Sequence, residues 1–242
     1  MKSSISSESS NQNLQKLLPD EFRKLGPGEL LVNELFYSIQ GESSFAGQPC
    51  YFIRLAGCHL RCSYCDTEYA FFEGYRETVA CCIQKAKECG CSLVEVTGGE
   101  PLLQSEVHKL LTGLCDEGFQ VLLETAGAIE FQDVDPRVYK IVDVKCPSSG
   151  MASRNIPDIS DKLGPKDELK FVIGDKRDFE WAHSWLKNEG KDIPEKIPIH
   201  FSPTQGRCTP EELGGWILEQ KLPVRLNLQI HKIIWPDKSR GA

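Results

Sequence analysis

Apolar residues fall along this chain in two rhythms. Short apolar runs at Cys50 to Leu55, Leu93 to Thr97, Gln120 to Glu124, Lys140 to Lys145, Leu169 to Ile173, Ile197 to Phe201 and Val224 to Leu228 read as strands. Between them, Val79, Cys82, Ile83 and Ala86 recur at helical spacing within Thr78 to Cys89, as do Val107, Leu110, Leu111 and Leu114 within Glu106 to Glu117. Strand, helix and strand in repeated succession predict a parallel sheet joined by right-handed crossovers. The fold class is α/β, either a complete or partial βα barrel or an open doubly wound sheet.

The first 28 residues break the pattern. They are polar, rich in Ser and Asn, and end in the turn signal Gly26-Pro27-Gly28. We expect residues 1–28 to be a flexible arm and 29–242 to be one domain. A formal net charge of -7 argues against nonspecific nucleic-acid binding, which needs clustered Lys and Arg, and favours a small-molecule substrate. No apolar run is long enough to span a bilayer, and the Ser-rich start lacks the apolar centre of a signal peptide. The expected location is therefore the cytoplasm, away from membranes. There, eleven cysteines point to metal binding or burial rather than disulfides.

Three of those cysteines carry the chemistry. Gly57-Cys58-His59-Leu60-Arg61-Cys62-Ser63-Tyr64-Cys65-Asp66 is a C-x3-C-x2-C loop directly after a predicted strand. Thiolates are the soft ligands that iron-sulfur clusters require. Three of them on a four-iron cubane leave one iron open to another ligand, as a catalytic zinc keeps an open position. A zinc site completed by His59 or a distant ligand is the alternative. Thr97-Gly98-Gly99-Glu100-Pro101 ends a later strand, where barrel enzymes place active-site residues. Glycine lets backbone approach a ligand, and a carboxylate accepts hydrogen bonds from an ammonium group.

The cysteine loop resembles that of the radical S-adenosylmethionine superfamily, whose fold is a partial (incomplete) parallel βα barrel. The resemblance implies a 4Fe-4S cluster on Cys58, Cys62 and Cys65, with S-adenosylmethionine on the open iron. It also implies that Gly98, Gly99 and Glu100 bind the methionyl amino group, and that Tyr64, Cys65 and Asp66 lie along the adenine. Asp143, Val144 and Lys145 would contact the same cofactor, with an Asp143–Lys145 ion pair as the structural alternative.

A narrower resemblance runs from about residue 30 to 236, strongest in Asn33 to Glu42, Phe52 to Cys58 and Cys65-Asp66-Thr67. This part is similar to the 7-carboxy-7-deazaguanine synthase family. It implies a carbon-nitrogen lyase that converts 6-carboxy-5,6,7,8-tetrahydropterin to 7-carboxy-7-deazaguanine with loss of ammonia, toward queuosine and related 7-deazapurines. Gln40 and the backbone of Ile39 to Gly41 would read the amide-like edge of the pterin, and Arg54 its carboxylate. Thr97 would touch substrate, Glu42 would be a site acid, and Thr67 would help hold magnesium. A homodimer and a one-electron reductant such as a flavodoxin or ferredoxin are implied as well.

Two departures stand out: Ser43 occupies a position where the family usually has Gly, and the chain continues past Pro236. Cys81, Cys82, Cys89 and Cys91 read as packing or surface thiols, like the isolated Cys50, Cys115, Cys146 and Cys208. His200 to Pro203 and Asn227 to Lys232 take no assigned role. The rival functions are another radical enzyme, such as a glycyl-radical activase, and a non-enzymatic metal-binding module.

Overall fold

The alternation of apolar runs builds one nine-stranded sheet in a computed structural model that describes residues 20–190, 193 and 197–241. Residues 1–19 of the expected arm lie outside the described residues, and its remainder carries a 3-10 turn, Asp20–Lys24. All seven predicted strands are present as a parallel set: β2 (Pro49–Leu55), β4 (Leu93–Gly98), β5 (Gln120–Thr125), β6 (Tyr139–Asp143), β7 (Glu168–Ile173), β8 (Ile199–Pro203) and β9 (Arg225–Leu226). Two antiparallel strands precede them at one edge, β1 (Glu29–Ile39) and β3 (Tyr75–Thr78), giving the order β3-β1-β2-β4-β5-β6-β7-β8-β9. The sheet does not close on itself, so the architecture is the partial barrel.

The helices are α1 (Val79–Cys89), α2 (Val107–Asp116), α3 (Lys176–Asn188), α4 (Pro210–Gln220) and a short α5 (Ile230–Ile234). Thr78 caps α1 by accepting from Cys81 N at 3.1 Å, and Thr209 with Glu212 forms a capping box on α4. Among the described residues no helix is long and apolar enough to cross a membrane.

Strand side chains alternate between two faces, and that parity locates the chemistry. Ile53, Val94, Val96, Val121, Leu123, Val142, Leu169 and Phe171 pack with Leu110, Leu111, Phe179 and Ala182 of the helices in the main core. The intervening residues point to the concave face. Phe52, Leu93, Leu122 and Ile141 join Phe45 and Cys50 in a smaller apolar layer there. Arg54, Glu95, Thr97, Glu124, Asp143 and Lys170 line a cavity on the same face.

Val144 follows the opposite parity. Its side chain is fully buried in the main core, whereas Asp143 and Lys145 on either side line the cavity. The remaining cysteines are free thiols, and Cys50, Cys82, Cys146 and Cys208 are buried as expected of packing residues.

One segment spans the sheet's open side. The loop after β1 folds back through Gly47 N to Gln40 O and Gln40 N to Gln48 O, both at 2.8 Å. Its Ser44 N donates to Glu168 Oε2 on β7 at 3.0 Å, while Arg225 of β9 reaches Ser44 Oγ at 2.9 Å. Ser43 sits in the left-handed region at φ 61°, which explains why glycine suits this position. Its hydroxyl accepts from Phe45 N at 3.2 Å and so supports the turn.

Candidate functional site

Parallel pairing of β2 and β4 brings the cysteine loop and the Thr97-Gly98-Gly99-Glu100 turn side by side at their carboxyl ends. Backbone bonds join them: Gly99 N donates to Leu55 O at 3.1 Å and Glu100 N to Gly57 O at 2.9 Å. A side chain on either glycine would destroy this fit. A Cβ on Gly98, already at φ 152°, would fall 2.1 Å from Leu55 O, and one on Gly99 would fall 2.4 Å from Gly57 O and 2.8 Å from Cys58 Cβ.

Cys58, Cys62 and Cys65 line one end of a cavity of about 580 Å³, within the range of small-molecule sites. Arg61 pins their loop by donating to Cys58 O at 2.8 Å and Leu60 O at 2.7 Å while its guanidinium lies 4.3 Å from the Phe71 ring centre. Burial raises all three thiol pKa values, that of Cys58 to about 11. A metal's positive charge is what would draw off such protons. Among the described residues no three His, Cys, Asp or Glu side chains are gathered tightly enough for a single metal ion. Three thiols at one end of a cavity are the soft ligands a cluster requires. His59 is buried but does not line the cavity, so it does not complete a zinc set there.

Next to the thiols, four buried polar atoms of cavity-lining residues have no hydrogen-bond partner: Tyr64 Oη, Asp143 Oδ1, Ser202 Oγ and Thr204 Oγ1. Buried polar atoms are nearly always paired, so this wall fits a polar ligand such as a nucleoside. Asp143 Oδ2 accepts from Lys145 Nζ at 2.7 Å, the ion pair weighed from sequence, and both residues face the cavity.

The Glu100 side chain lies behind the cavity wall. It is fully buried and absent from the cavity wall, and its carboxylate accepts from Leu102 N at 3.0 Å, Ala126 N at 2.7 Å and Thr125 Oγ1 at 2.9 and 3.0 Å. Burial raises its pKa against the pull of these donors. The side chain therefore clasps β4 to β5, leaving only the backbone of Gly98 and Gly99 to face a ligand.

Away from the thiols the cavity is lined by charge. Arg54 donates through Nε to Glu34 Oε1 at 2.7 Å, and Tyr69 donates to the same oxygen at 2.9 Å. The guanidinium is thereby fixed at the wall. Lys170 bonds Glu42 and, at 2.6 Å, Glu124 Oε1. Burial works against the charge on Lys170, but Glu124 and Glu42 raise its pKa well above the usual lysine value. Burial would raise Glu42, but Lys170 and Gln229 more than offset it and hold that carboxyl below its ordinary value. Thr97 Oγ1 donates to Glu124 Oε2 at 3.3 Å.

Gln40 lines the cavity with its side chain already engaged. Its Nε2 donates to Glu95 Oε2 and its Oε1 accepts from Glu42 N at 3.1 Å, while Gly41 O accepts from Ile230 N at 3.0 Å. These bonds hold the loop in place, with Gln40 and Gly41 on the cavity wall. Ile39 ends β1, paired with Pro49. Asp66 is drawn from the thiol end toward the carboxyl-terminal segment, accepting from Lys232 Nζ at 2.6 Å and Gln229 Nε2 at 3.2 Å, with Thr67 Oγ1 donating to its other oxygen at 3.0 Å. Gln229 also donates to Glu42 Oε1 at 2.7 Å.

Lys170, Glu95, Glu124 and Thr204 were not singled out from sequence, and Ser202, Gln229, His231 and Lys232 lay in segments given no role, yet all line the cavity. A signal existed for three of them. Glu95, Glu124 and Lys170 are charged residues inside otherwise apolar strand runs, which in a βα barrel marks the inner face.

Comparison with known proteins accords with this site. The Radical SAM superfamily model matches residues 52–141, from β2 through the cysteine loop to β6. A 7-carboxy-7-deazaguanine synthase of Chlorobaculum tepidum is 45% identical over 216 residues, covering 88% of this chain and 97% of that protein. One from Koribacter versatilis is 40% identical, covering 87% and 99%. The crystal structure of QueE from Escherichia coli aligns with a TM-score of 0.67 over 83% of this chain and 94% of that one, at 24% identity, a likeness of fold. With thiols, glycine turn and fold in agreement with relatives aligned over most of its length, the chain belongs to the 7-carboxy-7-deazaguanine synthase family of radical S-adenosylmethionine enzymes.

Proposed function

We propose that the cavity makes 7-carboxy-7-deazaguanine, the product named in its relatives, from 6-carboxy-5,6,7,8-tetrahydropterin with loss of ammonia, as the family resemblance implies. One observation carries this reading: a single cavity joins three cysteine thiols at one end to a fixed guanidinium and a buried lysine toward the other. When bound, a 4Fe-4S cluster on Cys58, Cys62 and Cys65 supplies the electron that cleaves S-adenosylmethionine to the hydrogen-abstracting radical.

The chain's own residues position the reactants. The backbone of Gly98 and Gly99 and the unpaired atoms of Tyr64, Asp143, Ser202 and Thr204 receive S-adenosylmethionine. Lys145, held by Asp143, adds positive charge beside its carboxylate. Arg54 orients the substrate carboxylate, and Thr97 and Glu124 meet the ring. Thr67 Oγ1 and Asp66 Oδ1, 3.0 Å apart at the cavity wall, are the hard oxygens at which magnesium binds with substrate. Family resemblance further supports a homodimer, a flavodoxin- or ferredoxin-type reductant and a cytoplasmic setting.

Anaerobic turnover of reconstituted protein with dithionite, S-adenosylmethionine, magnesium and 6-carboxytetrahydropterin tests the proposal. Equal release of ammonia and 7-carboxy-7-deazaguanine is expected. Deoxyadenosine without the deazapurine, from protein holding a full cluster, would mean a radical enzyme acting on another substrate.

A further inference from the structure

Loss of ammonia requires a proton donor, and the cavity's acids differ sharply in whether they hold one. Five carboxyl residues line it: Glu42, Asp66, Glu95, Glu124 and Asp143. Four have a cation within bonding distance. Lys170 serves Glu42 and Glu124, Lys232 serves Asp66, and Lys145 serves Asp143. Glu95 has an amide instead, the side chain of Gln40, and no other hydrogen bond or ion pair among the described residues.

Its setting disfavours charge. Glu95 lies mid-strand on β4, 5% exposed, with Phe52 and Leu122 opposite it on the neighbouring strands. Both neighbours belong to the apolar inner layer. The charged groups facing it are Glu124 from β5, Glu42 from the loop after β1, Lys170 from β7 and Arg54 from β2. Burial first, then the two like charges, raise the Glu95 pKa well above its ordinary value, and the cations do not reverse this. Lys145 and Lys170 hold their protons too tightly to serve, because both are raised by carboxylate partners that outweigh burial. Burial lowers the pKa of His231 and so leaves it neutral.

We propose that Glu95 carries the proton transfers of ammonia loss. This rests on the reaction assigned above. The carbon–nitrogen bond breaks with its electron pair on nitrogen, which takes the Glu95 proton and leaves as ammonia. The ring carbon that becomes aromatic then gives up its proton to the Glu95 carboxylate, and the electrons of that carbon–hydrogen bond form the new double bond. The sum is loss of one ammonia with the acid restored, and no outside oxidant or reductant enters. Gln40 is the positioning residue that fixes the carboxyl group through Oε2.

The test compares reconstituted wild type with Glu95→Gln, which keeps the shape and a partner for Gln40 but carries no transferable proton. Deazapurine and ammonia should fall by about 100-fold or more, the scale of general acid-base catalysis. Deoxyadenosine formation and the Kd for 6-carboxytetrahydropterin should stay within about 3-fold of wild type, since neither step moves this proton. A carbonyl band of a neutral carboxylic acid should appear in the infrared spectrum of the metal-free wild type at neutral pH and be missing from the variant.

Wild-type deazapurine production by E95Q would overturn the proposal, and so would a loss of substrate affinity that accounts for the whole loss of rate. If E95Q fails to fold, the wild-type pH profile decides. Product formation should fall at alkaline pH as Glu95 ionises, and a flat profile would overturn the role. No deazapurine from the wild type itself would sink the assigned reaction and this role together, whereas wild-type turnover matched by E95Q would sink only the role.

Discussion

Replacing Glu100 by alanine separates two meanings of the Gly-Gly-Glu turn. In the structure its carboxylate satisfies the backbone N–H groups of Leu102 and Ala126 and the hydroxyl of Thr125, none of which another described group replaces. Stranding a buried donor costs about 1 to 3 kcal/mol, so three of them set a loss of roughly 3 to 5 kcal/mol once the relief of burying a carboxyl group is counted against it. That is a large share of the roughly 5 to 15 kcal/mol that holds a typical domain folded. Thr125→Val removes the hydroxyl alone and should cost about 1 kcal/mol. Urea unfolding of the metal-free, reduced protein measures both. A Glu100→Ala loss below about 1 kcal/mol, accompanied by weaker S-adenosylmethionine binding to the reconstituted protein, would refute the clasp and restore the ammonium ligand expected from sequence.

Three further outcomes are expected. Cys58→Ala should abolish the cluster's visible absorbance on reconstitution, whereas Cys81→Ala, on the surface of α1, should leave it unchanged. Arg54→Ala should retain the cluster and weaken 6-carboxytetrahydropterin binding by roughly 1.5 to 3 kcal/mol, the value of a charged hydrogen bond; calorimetry giving wild-type affinity would remove Arg54 from the carboxylate site. Gly41→Ala should raise the KM for the pterin while cluster content holds, because the added Cβ would lie 1.8 Å from His231 Nδ1 and must push that ring out of the cavity wall. Unchanged KM would mean that the His231 segment moves without consequence.

Much of this architecture is legible in the residues, for reasons that also explain what escaped. Buried parallel strands are apolar on both faces, so β2 and β4 to β8 announce themselves as runs. β1 did not, because Asn33 and Glu34 interrupt it at a bulge and β3 covers only its first four residues, leaving several of the rest half-exposed. β3, Tyr-Arg-Glu-Thr, is polar because it is the outermost strand. The thiols and glycines of the cofactor end are local in sequence, set by two adjacent loops. The other end is assembled from the loop after β1, from β2, β4, β5 and β7, and from the segment around Gln229, and no spacing rule connects those residues. Glu100 shows the limit of motif reading: a residue can be indispensable to a binding turn through what it holds up rather than what it touches.

The tie between Glu42 and Gln229 spans 187 positions, and that between Asp66 and Lys232 spans 166. Contacts so distant in sequence form late, after much of the sheet is in place. During synthesis, the cysteine loop leaves the ribosome long before the segment that completes the pterin chamber. A nascent chain can therefore present its three thiols to the cell's cluster-assembly machinery while still unable to enclose substrate.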